Sequence, residues 1–374
     1  MLKKVLFLTG TRADFGKLKS LMKAVEKIDG METYVFVTGM HLFEKYGSTG
    51  HEVVKSGFKR IHYFINQRHY DSMDTILANT IYGLGNYLSI MKPDLIVIHG
   101  DRVESLAGAI VGALNNILVA HIEGGEVSGT IDESIRHAAS KLAHVHFVSN
   151  GEAKRRLIQM GEKESNIYVI GSPDIDLMVS KKLPLLEEVK KYYEIDFDRY
   201  AILIYHPVTT NLHNLLNDIR EVIKALVSSG KNYVVVYPNN DPGADIIIEE
   251  YQRLDGNKHF KIFPSIRFEY FLVLLKYCKF IIGNSSAGIR EAPFYGIPTV
   301  NIGSRQNRRL FYESIINVNS SEKDILAAVR KIKKIKFCQT DHFGDGGSTK
   351  RFVKTLKDPN IWKVDVQKHF LDTG

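Results

Sequence analysis

What most constrains the fold of this chain is an alternation. Short, near-continuous apolar runs recur with helix-length amphipathic stretches between them, and the series is run through twice. The first series places its runs at 5–8, 34–37, 95–98, 117–120, 144–148 and 167–170. After Gly171-Ser172-Pro173 and a charged, helix-like stretch at 186–193, a second series follows at 201–205, 233–237, 261–263, 280–282 and 299–302. Apolar runs without polar alternation suit strands buried on both faces of a parallel sheet. The stretches between them carry a helical period: Leu18, Leu21, Met22, Val25 and Ile28 fall on one face. Strands alternating with helices in this way predict an α/β chain of two doubly wound, Rossmann-like domains with a cleft between them. The 374 residues fit two domains at about 150 residues each. The break falls within 172–195, giving a first domain at 1–175 and a second at 176–355. The final segment, 356–374, carries Ile361, Trp362, Val364, Val366, Phe370 and Leu371. It is expected to form a C-terminal helix that packs back on the first domain.

Composition removes several classes of function. The apolar run at the N-terminus stops at Thr9-Gly10 and is followed by Arg12 and Asp14, too short for a signal peptide. No stretch approaches the length of apolar residues a membrane span needs. The two cysteines, Cys278 and Cys338, lack the pairing of a metal site, which points to a reduced, cytoplasmic chain. The formal charge of +8 is spread along the chain. Its densest group, Arg330, Lys331, Lys333, Lys334 and Lys336, alternates with Ile332 and Ile335 and reads as one solvated face. That argues against nucleic acid as a partner and suits a small anionic substrate.

In doubly wound sheets, ligands sit beyond the carboxyl ends of the strands, so the residues after each run matter most. Thr9 to Lys17 runs from a small-residue turn into a helix. It reads either as an anion site, with Arg12 and Lys17 adding charge, or as a plain turn capped by Thr11 or Asp14. It is neither GxGxxG nor a Walker motif, so no dinucleotide is signalled. Asp101 and Arg102 follow His99-Gly100, with helix capping by Asp101 as the competing reading. The stretch from His121 to His137 is the densest in ionisable groups: Glu123, Glu126, Asp132 and Glu133 lie in a glycine-rich segment that starts at a strand end. Several carboxylates held together suit acid and base roles with unequal pKa values. Asp132 and Glu133 also fit the first turn of a helix, where acids favour the dipole. In the second half, His206 reads as a catalytic or phosphate-facing imidazole, or as a buried and satisfied one. Asn239 offers a polar group to a base or ribose. Ser285 and Ser286 make a small-residue phosphate cradle, Glu291 is placed to hold ribose hydroxyls, and Arg305 stands in a basic loop.

Taken together, the segments GTRADFGKL, HGDR, HIEGGEVSGTIDESIRH, YHPVTT, YPNND, FPSIRFEYF, GNSSAGIREAP and GSRQNR resemble the hydrolysing UDP-N-acetylglucosamine 2-epimerases of bacterial sialic acid synthesis, in the same order and over nearly the whole chain. The resemblance implies a GT-B-like fold. It implies conversion of UDP-N-acetylglucosamine and water to UDP and N-acetylmannosamine, by elimination of UDP to a 2-acetamidoglucal and addition of water. It implies no nicotinamide cofactor, no metal, and a homodimer or homotetramer. On it, Asp101, Glu123 and Asp132 resemble the family's catalytic carboxylates and His206 the imidazole near the diphosphate. Arg12, Ser285, Ser286, Glu291 and Arg305 resemble UDP contacts, to which Lys17, Arg102 and Asn239 are added as substrate-binding candidates. HIEGGE and IDES stand where the non-hydrolysing relatives have HVEAG and PEE, which places the chain on the hydrolysing side. A diacetamido sugar of the legionaminic acid pathway and a GT-B glycosyltransferase activity are the alternatives.

Overall fold

The alternation folds into two all-parallel sheets. A computed structural model describes residues 2–68, 71–306, 309, 312–332 and 339–372. In chain order the first series is β1 (Lys3–Thr9), α1 (Arg12–Val25), β2 (Met31–Val37), α2 (Gly50–Lys55), β3 (Ile61–Tyr63), α3 (Met73–Met91), β4 (Leu95–His99), α4 (Val103–Leu114), β5 (Leu118–Ile122), α5 (Ile131–Leu142), β6 (Val145–Val148), α6 (Gly151–Gln159), β7 (Ile167–Val169) and α7 (Pro173–Met178). The strands pair in the order β3-β2-β1-β4-β5-β6-β7. The second series is α8 (Leu186–Tyr192), β8 (Ala201–Ile204), α9 (Leu215–Ser228), β9 (Tyr233–Val236), α10 (Ala244–Gln252), β10 (Phe260–Phe263), α11 (Phe268–Tyr277), β11 (Ile281–Gly283), α12 (Glu291–Phe294), β12 (Thr299–Ile302), β13 (Ile315–Val318) and α13 (Glu322–Lys331), and α14 (Ser348–Lys357) follows it. These strands pair as β10-β9-β8-β11-β12-β13. Both sheets are thus Rossmann-like, and the pair of units matches a GT-B-like fold.

Each unit has its own core. The period-two side chains of β1 split between the faces of the first sheet. Val5 and Phe7 pack with Leu18 and Leu21 of α1 and Phe352 and Leu356 of α14. Leu6 and Leu8 pack with Leu84 and Leu88 of α3 and Ala109 and Val111 of α4. In the second unit, Ala201 and Leu203 of β8 pack with Ile219, Val222 and Leu226 of α9 and Ile325 and Val329 of α13.

The units divide the chain as Met1–Glu126, Asp132–Ser180 and His342–Gly374 against Val127–Ile131 and Lys181–Asp341. The second unit therefore closes at Asp341 rather than 355. The tail also differs from the helix expected over 356–374. Its helix is α14, which stops before Asp358-Pro359; a short 3-10 turn follows at Ile361–Lys363, and no α-helix forms among the described residues after it. Pro359 cannot continue a helix, and the indole N–H of Trp362 donates to Leu356 O at 3.0 Å, closing the end of α14. Trp362, Val364 and Val366 pack at every second residue against the first unit's core. Two edge strands, β3 and β13, lie outside the sequence reading. Among the described residues, no helix is long and apolar enough to cross a membrane. Arg330 and Lys331 are exposed at the end of α13, while Lys333, Lys334 and Lys336 lie outside the described residues, as does Cys338. Cys278 is buried and free.

Candidate functional site

In each sheet the strand order reverses between two neighbours, β1 and β4 in the first and β8 and β11 in the second. The carboxyl ends of these strands are where a doubly wound sheet takes its ligand. The motif segments stand at those ends and at the ends of β5, β9, β10 and β12.

At the first switch point, the β1–α1 turn is built as a capped turn. Thr11 and Asp14 form a reciprocal capping box on α1. The Asp14 carboxylate also accepts from the N–H groups of Gly10 and Thr11, both at 2.9 Å, and from Thr9 Oγ1 at 2.7 Å. Asp14 thus stands as the turn's own anion. His41, after β2, is fixed between Thr9 and Thr49, and burial lowers its pKa to about 4, so it is neutral. Arg12 pairs with Glu52 of α2 at 2.8 Å.

Lys17, one turn further into α1, enters the interior. Its Nζ lies 3.1 Å from Asp174 Oδ2 and 3.7 Å from Glu123 Oε2, and all three residues are buried, at 7%, 0% and 5% exposure respectively. Glu123 follows directly on β5 with φ of +63°, a conformation that strains a residue with a Cβ. Such strain collects at functional sites, where the surroundings hold the residue in place. Here those surroundings are Lys17, His99 Nε2 at 3.1 Å from Oε2, and Ser172 Oγ, which donates to Oε1. Elements far apart in the chain (α1, β4, β5 and the turn into α7) converge on one carboxylate.

The N-cap of α4 is Arg102, and Asp101 instead pairs with the buried guanidinium of Arg136 on α5. Arg136 also donates to Glu126 O at 3.2 Å, and the Glu126 side chain accepts from Ser149 at 2.7 Å. Behind Asp101, His121 Nε2 bonds Gly100 O at 2.7 Å and Nδ1 bonds Ser140 at 2.9 Å. Burial takes His121 down to about 3, so the neutral ring carries its proton on Nε2 and pins the Gly100–Asp101 turn. Arg102 pairs with Glu104 at 3.2 Å. Asp132 and Glu133 stand in the first turn of α5, where the helix dipole favours them. Asp132 is four residues before Arg136, on the same face. Glu133 lies 3.6 Å from His137.

In the second unit, Asn284 is the hub. Gly283 before it has φ of +125°, and a Cβ there would lie 2.0 Å from Ile204 O, so β11 and β8 approach as only glycine allows. Asn284 Oδ1 accepts the N–H of His206 at 2.6 Å, its Nδ2 donates to His206 O at 2.8 Å, and its own carbonyl accepts from Arg305 at 3.4 Å and Gln306 at 2.8 Å. His206 Nδ1 accepts the N–H of Asn239 at 3.0 Å. A backbone N–H meets only a lone pair, so the neutral ring carries its proton on Nε2. Ser285 and Ser286 are half-buried, with Ser285 Oγ accepting from Ala287 N–H; Glu291 is buried in α12. Residues 127–131 group with this unit: Gly129 N–H donates to Arg305 O at 3.1 Å, and Arg309 donates to Val127 O at 2.8 Å.

The structure therefore joins Lys17 with Glu123, and His206 with Asn239 and, through Asn284, with Arg305. Asp101 joins Arg136, and Arg12 and Arg102 each pair with a glutamate. Sequence reasoning left out Asp174 and Ser172, which look like an ordinary helix start at Ser-Pro-Asp, and the hub role of Asn284. Among the described residues, no group of three or more His, Cys, Asp and Glu side chains is placed to hold a metal ion.

Residues 23–357 match the family model for UDP-N-acetylglucosamine 2-epimerase. The chain is 48% identical, over 99% of both sequences, to a UDP-N-acetylglucosamine 2-epimerase of Neisseria meningitidis serogroup B. It is 34% identical, over 96% of both, to the hydrolyzing UDP-N,N'-diacetylbacillosamine 2-epimerase of Legionella pneumophila. In fold it is similar to the crystal structure of the Methanocaldococcus jannaschii UDP-GlcNAc 2-epimerase in complex with UDP-GlcNAc and UDP, with a TM-score of 0.82 at 22% identity over 94% of this chain and 99% of that one.

Proposed function

Since the chain belongs to the UDP-N-acetylglucosamine 2-epimerase family, we propose that it is a hydrolysing epimerase converting UDP-N-acetylglucosamine and water to UDP and N-acetylmannosamine. The observation that carries this reading is Glu123: a carboxylate buried at the carboxyl end of β5 and ringed by Lys17, His99 and Ser172. A group so enclosed is suited to proton transfer rather than to solvation.

The reaction asks for two things. The C1–O bond to the diphosphate breaks as the C2 proton leaves, giving the 2-acetamidoglucal; water then adds its hydroxyl to C1 and a proton to C2 on the opposite face. The C2 proton is poorly acidic, so stabilising the departing diphosphate matters most. Arg12, Arg102 and Arg305 supply positive charge to it, His206 donates from Nε2, and Ser285, Ser286 and Asn239 add hydrogen bonds. Glu291 accepts from the ribose hydroxyls. Asp101, Glu123 and Asp132 divide the proton transfers and support positive character at C1. The pairing of Asp101 with Arg136 favours its ionised form. Lys17, a substrate-binding candidate in the sequence, serves the carboxylates in this scheme. The working form is read as a homodimer or homotetramer in the cytoplasm, which rests on the family resemblance and the sparse cysteines; light scattering checks the assembly.

A second reading, the same reaction on a UDP-diacetamido sugar, draws on the likeness to the Legionella enzyme. NMR of products from a panel of nucleotide sugars decides. UDP with N-acetylmannosamine is expected; accumulation of UDP-N-acetylmannosamine overturns the hydrolytic step, and turnover of the diacetamido sugar alone moves the assignment to it.

A further inference from the structure

The Glu123 cluster holds one more buried charge than the reaction scheme uses. Asp174 sits in the first turn of α7, fully buried, with Lys17 Nζ at 3.1 Å from its Oδ2 and its Oδ1 accepting the N–H of Ile175 at 2.9 Å. It lies nearer to Lys17 than Glu123 does, at 3.7 Å. A buried carboxylate persists only when matched, and here the Lys17 ammonium is shared between two of them. The charged and titratable groups facing Glu123 include Lys17 from α1 and His99 from β4, with the Ser172 hydroxyl on its other oxygen and Asp174 reaching it through Lys17.

We propose that Asp174 is a positioning residue for this reaction: it holds the Lys17 ammonium in place and shares its charge, and so sets how readily Glu123 takes up and gives back a proton. The proposal rests on the reading of Glu123 as a proton-transfer group. With Asp174 ionised, the field of Lys17 at Glu123 is partly cancelled, and Glu123 accepts a proton at an accessible pH. With Asp174 neutral, Lys17 acts on Glu123 undiluted and holds it ionised. The sign of the effect is the same whether Glu123 works as base or as acid, because either limb of a pH–rate profile that reports its ionisation moves to lower pH.

The test is the pH dependence of kcat/KM for the full chain carrying Asp174→Asn, with a parallel ¹³C titration of the Glu123 carboxyl. Both are expected to shift down by about one pH unit, the low end of what a nearby charge does to a carboxyl group, and Asp174→Glu is expected to restore most of the profile. Asp176→Asn serves as the structural comparison. Asp176 accepts the N–H groups of Ser348 and Thr349 at 2.9 and 2.7 Å, so its loss lowers Tm without moving the profile. An Asp174→Asn enzyme with a lower Tm but an unmoved profile and titration overturns the proposal. Should that variant fold poorly, Lys17→Met gives the reverse reading: Glu123, without the ammonium and with Asp174 still ionised nearby, titrates higher, and a downward or absent shift again overturns it. A wild-type enzyme without turnover sinks the epimerase reading itself, while the ¹³C titration still decides the role of Asp174.

Discussion

Replacing Glu123 with glutamine changes the chemistry of its cluster while sparing the packing. The amide keeps the shape, its nitrogen donates to the Ser172 hydroxyl once that rotates, and its oxygen still faces His99 Nε2, 3.1 Å away in the native enzyme. Lys17 loses the partner at 3.7 Å but keeps Asp174 at 3.1 Å. The buried ammonium therefore remains paired, and the fold loses about 1 kcal/mol, the scale of one exchanged hydrogen bond. Turnover loses the group proposed for proton transfer. The expected drop is about 100-fold or more, or about 2.7 kcal/mol on the barrier. The UDP contacts proposed for the second unit are untouched, so UDP affinity by calorimetry should match the wild type. Steady-state rates, calorimetry and thermal melts on one preparation separate the three effects. A turnover within about tenfold of wild type, with the melt unchanged, would refute the assignment of proton transfer to Glu123.

Three further outcomes are expected. Glu291→Ala should weaken UDP by about 1–3 kcal/mol in calorimetry, the scale for losing hydrogen bonds to a charged group, and an unchanged affinity would remove Glu291 from the ribose site. In heavy water the product should carry deuterium at C2, and in ¹⁸O-water the label should enter C1 of the sugar at early times; label in the terminal phosphate of UDP would mean attack at phosphorus instead. Burial pushes the Glu162 carboxyl up, but His146 and Lys368 outweigh it and hold the group at about 2, below its ordinary 4.5. A carboxyl depressed in the folded state stabilises the fold above its unfolded pKa and loses that contribution as pH falls towards the folded value. Tm should therefore fall between about pH 4.5 and 2, and Lys368→Met should both lower Tm at neutral pH and flatten that fall; an unaltered slope would discount the pairing.

The central strands of both sheets were legible because burial on two faces leaves an apolar run that owes nothing to context. β3 and β13 were not: each lies at a sheet edge, pairs on one side only and mixes polar with apolar residues, as in Ile61-His62-Tyr63. Glu123 was legible because a charge directly after a buried run needs a reason; the strand ends at Ile122, which makes the placement tighter than the run to Ala120 suggested. Asp174 and Ser172 were invisible because Ser-Pro-Asp is an ordinary helix start, and only contacts with Lys17 and Glu123, remote in sequence, give these residues another meaning. The Thr9–Lys17 turn allowed two readings, and the choice depended on where the Asp14 carboxylate pointed. The tail's row of apolar residues suits a helix by composition, but Trp362, Val364 and Val366 repeat with the period of extended chain.

The first unit is discontinuous in sequence, and this bears on its assembly on the ribosome. The second unit, essentially residues 181–341, leaves the exit tunnel as a contiguous piece and is free to fold while the first sheet still waits for α14. Phe352 and Leu356 fill the face of that sheet on which Val5 and Phe7 lie, and Phe352 contacts both Phe7 and Phe147. Until they arrive, that apolar face is open to water and to the chaperones that read such faces. Premature termination after Asp341 would thus yield a nascent protein with an intact second unit and an unfinished first unit, damaged at the opposite end of the message from Glu123.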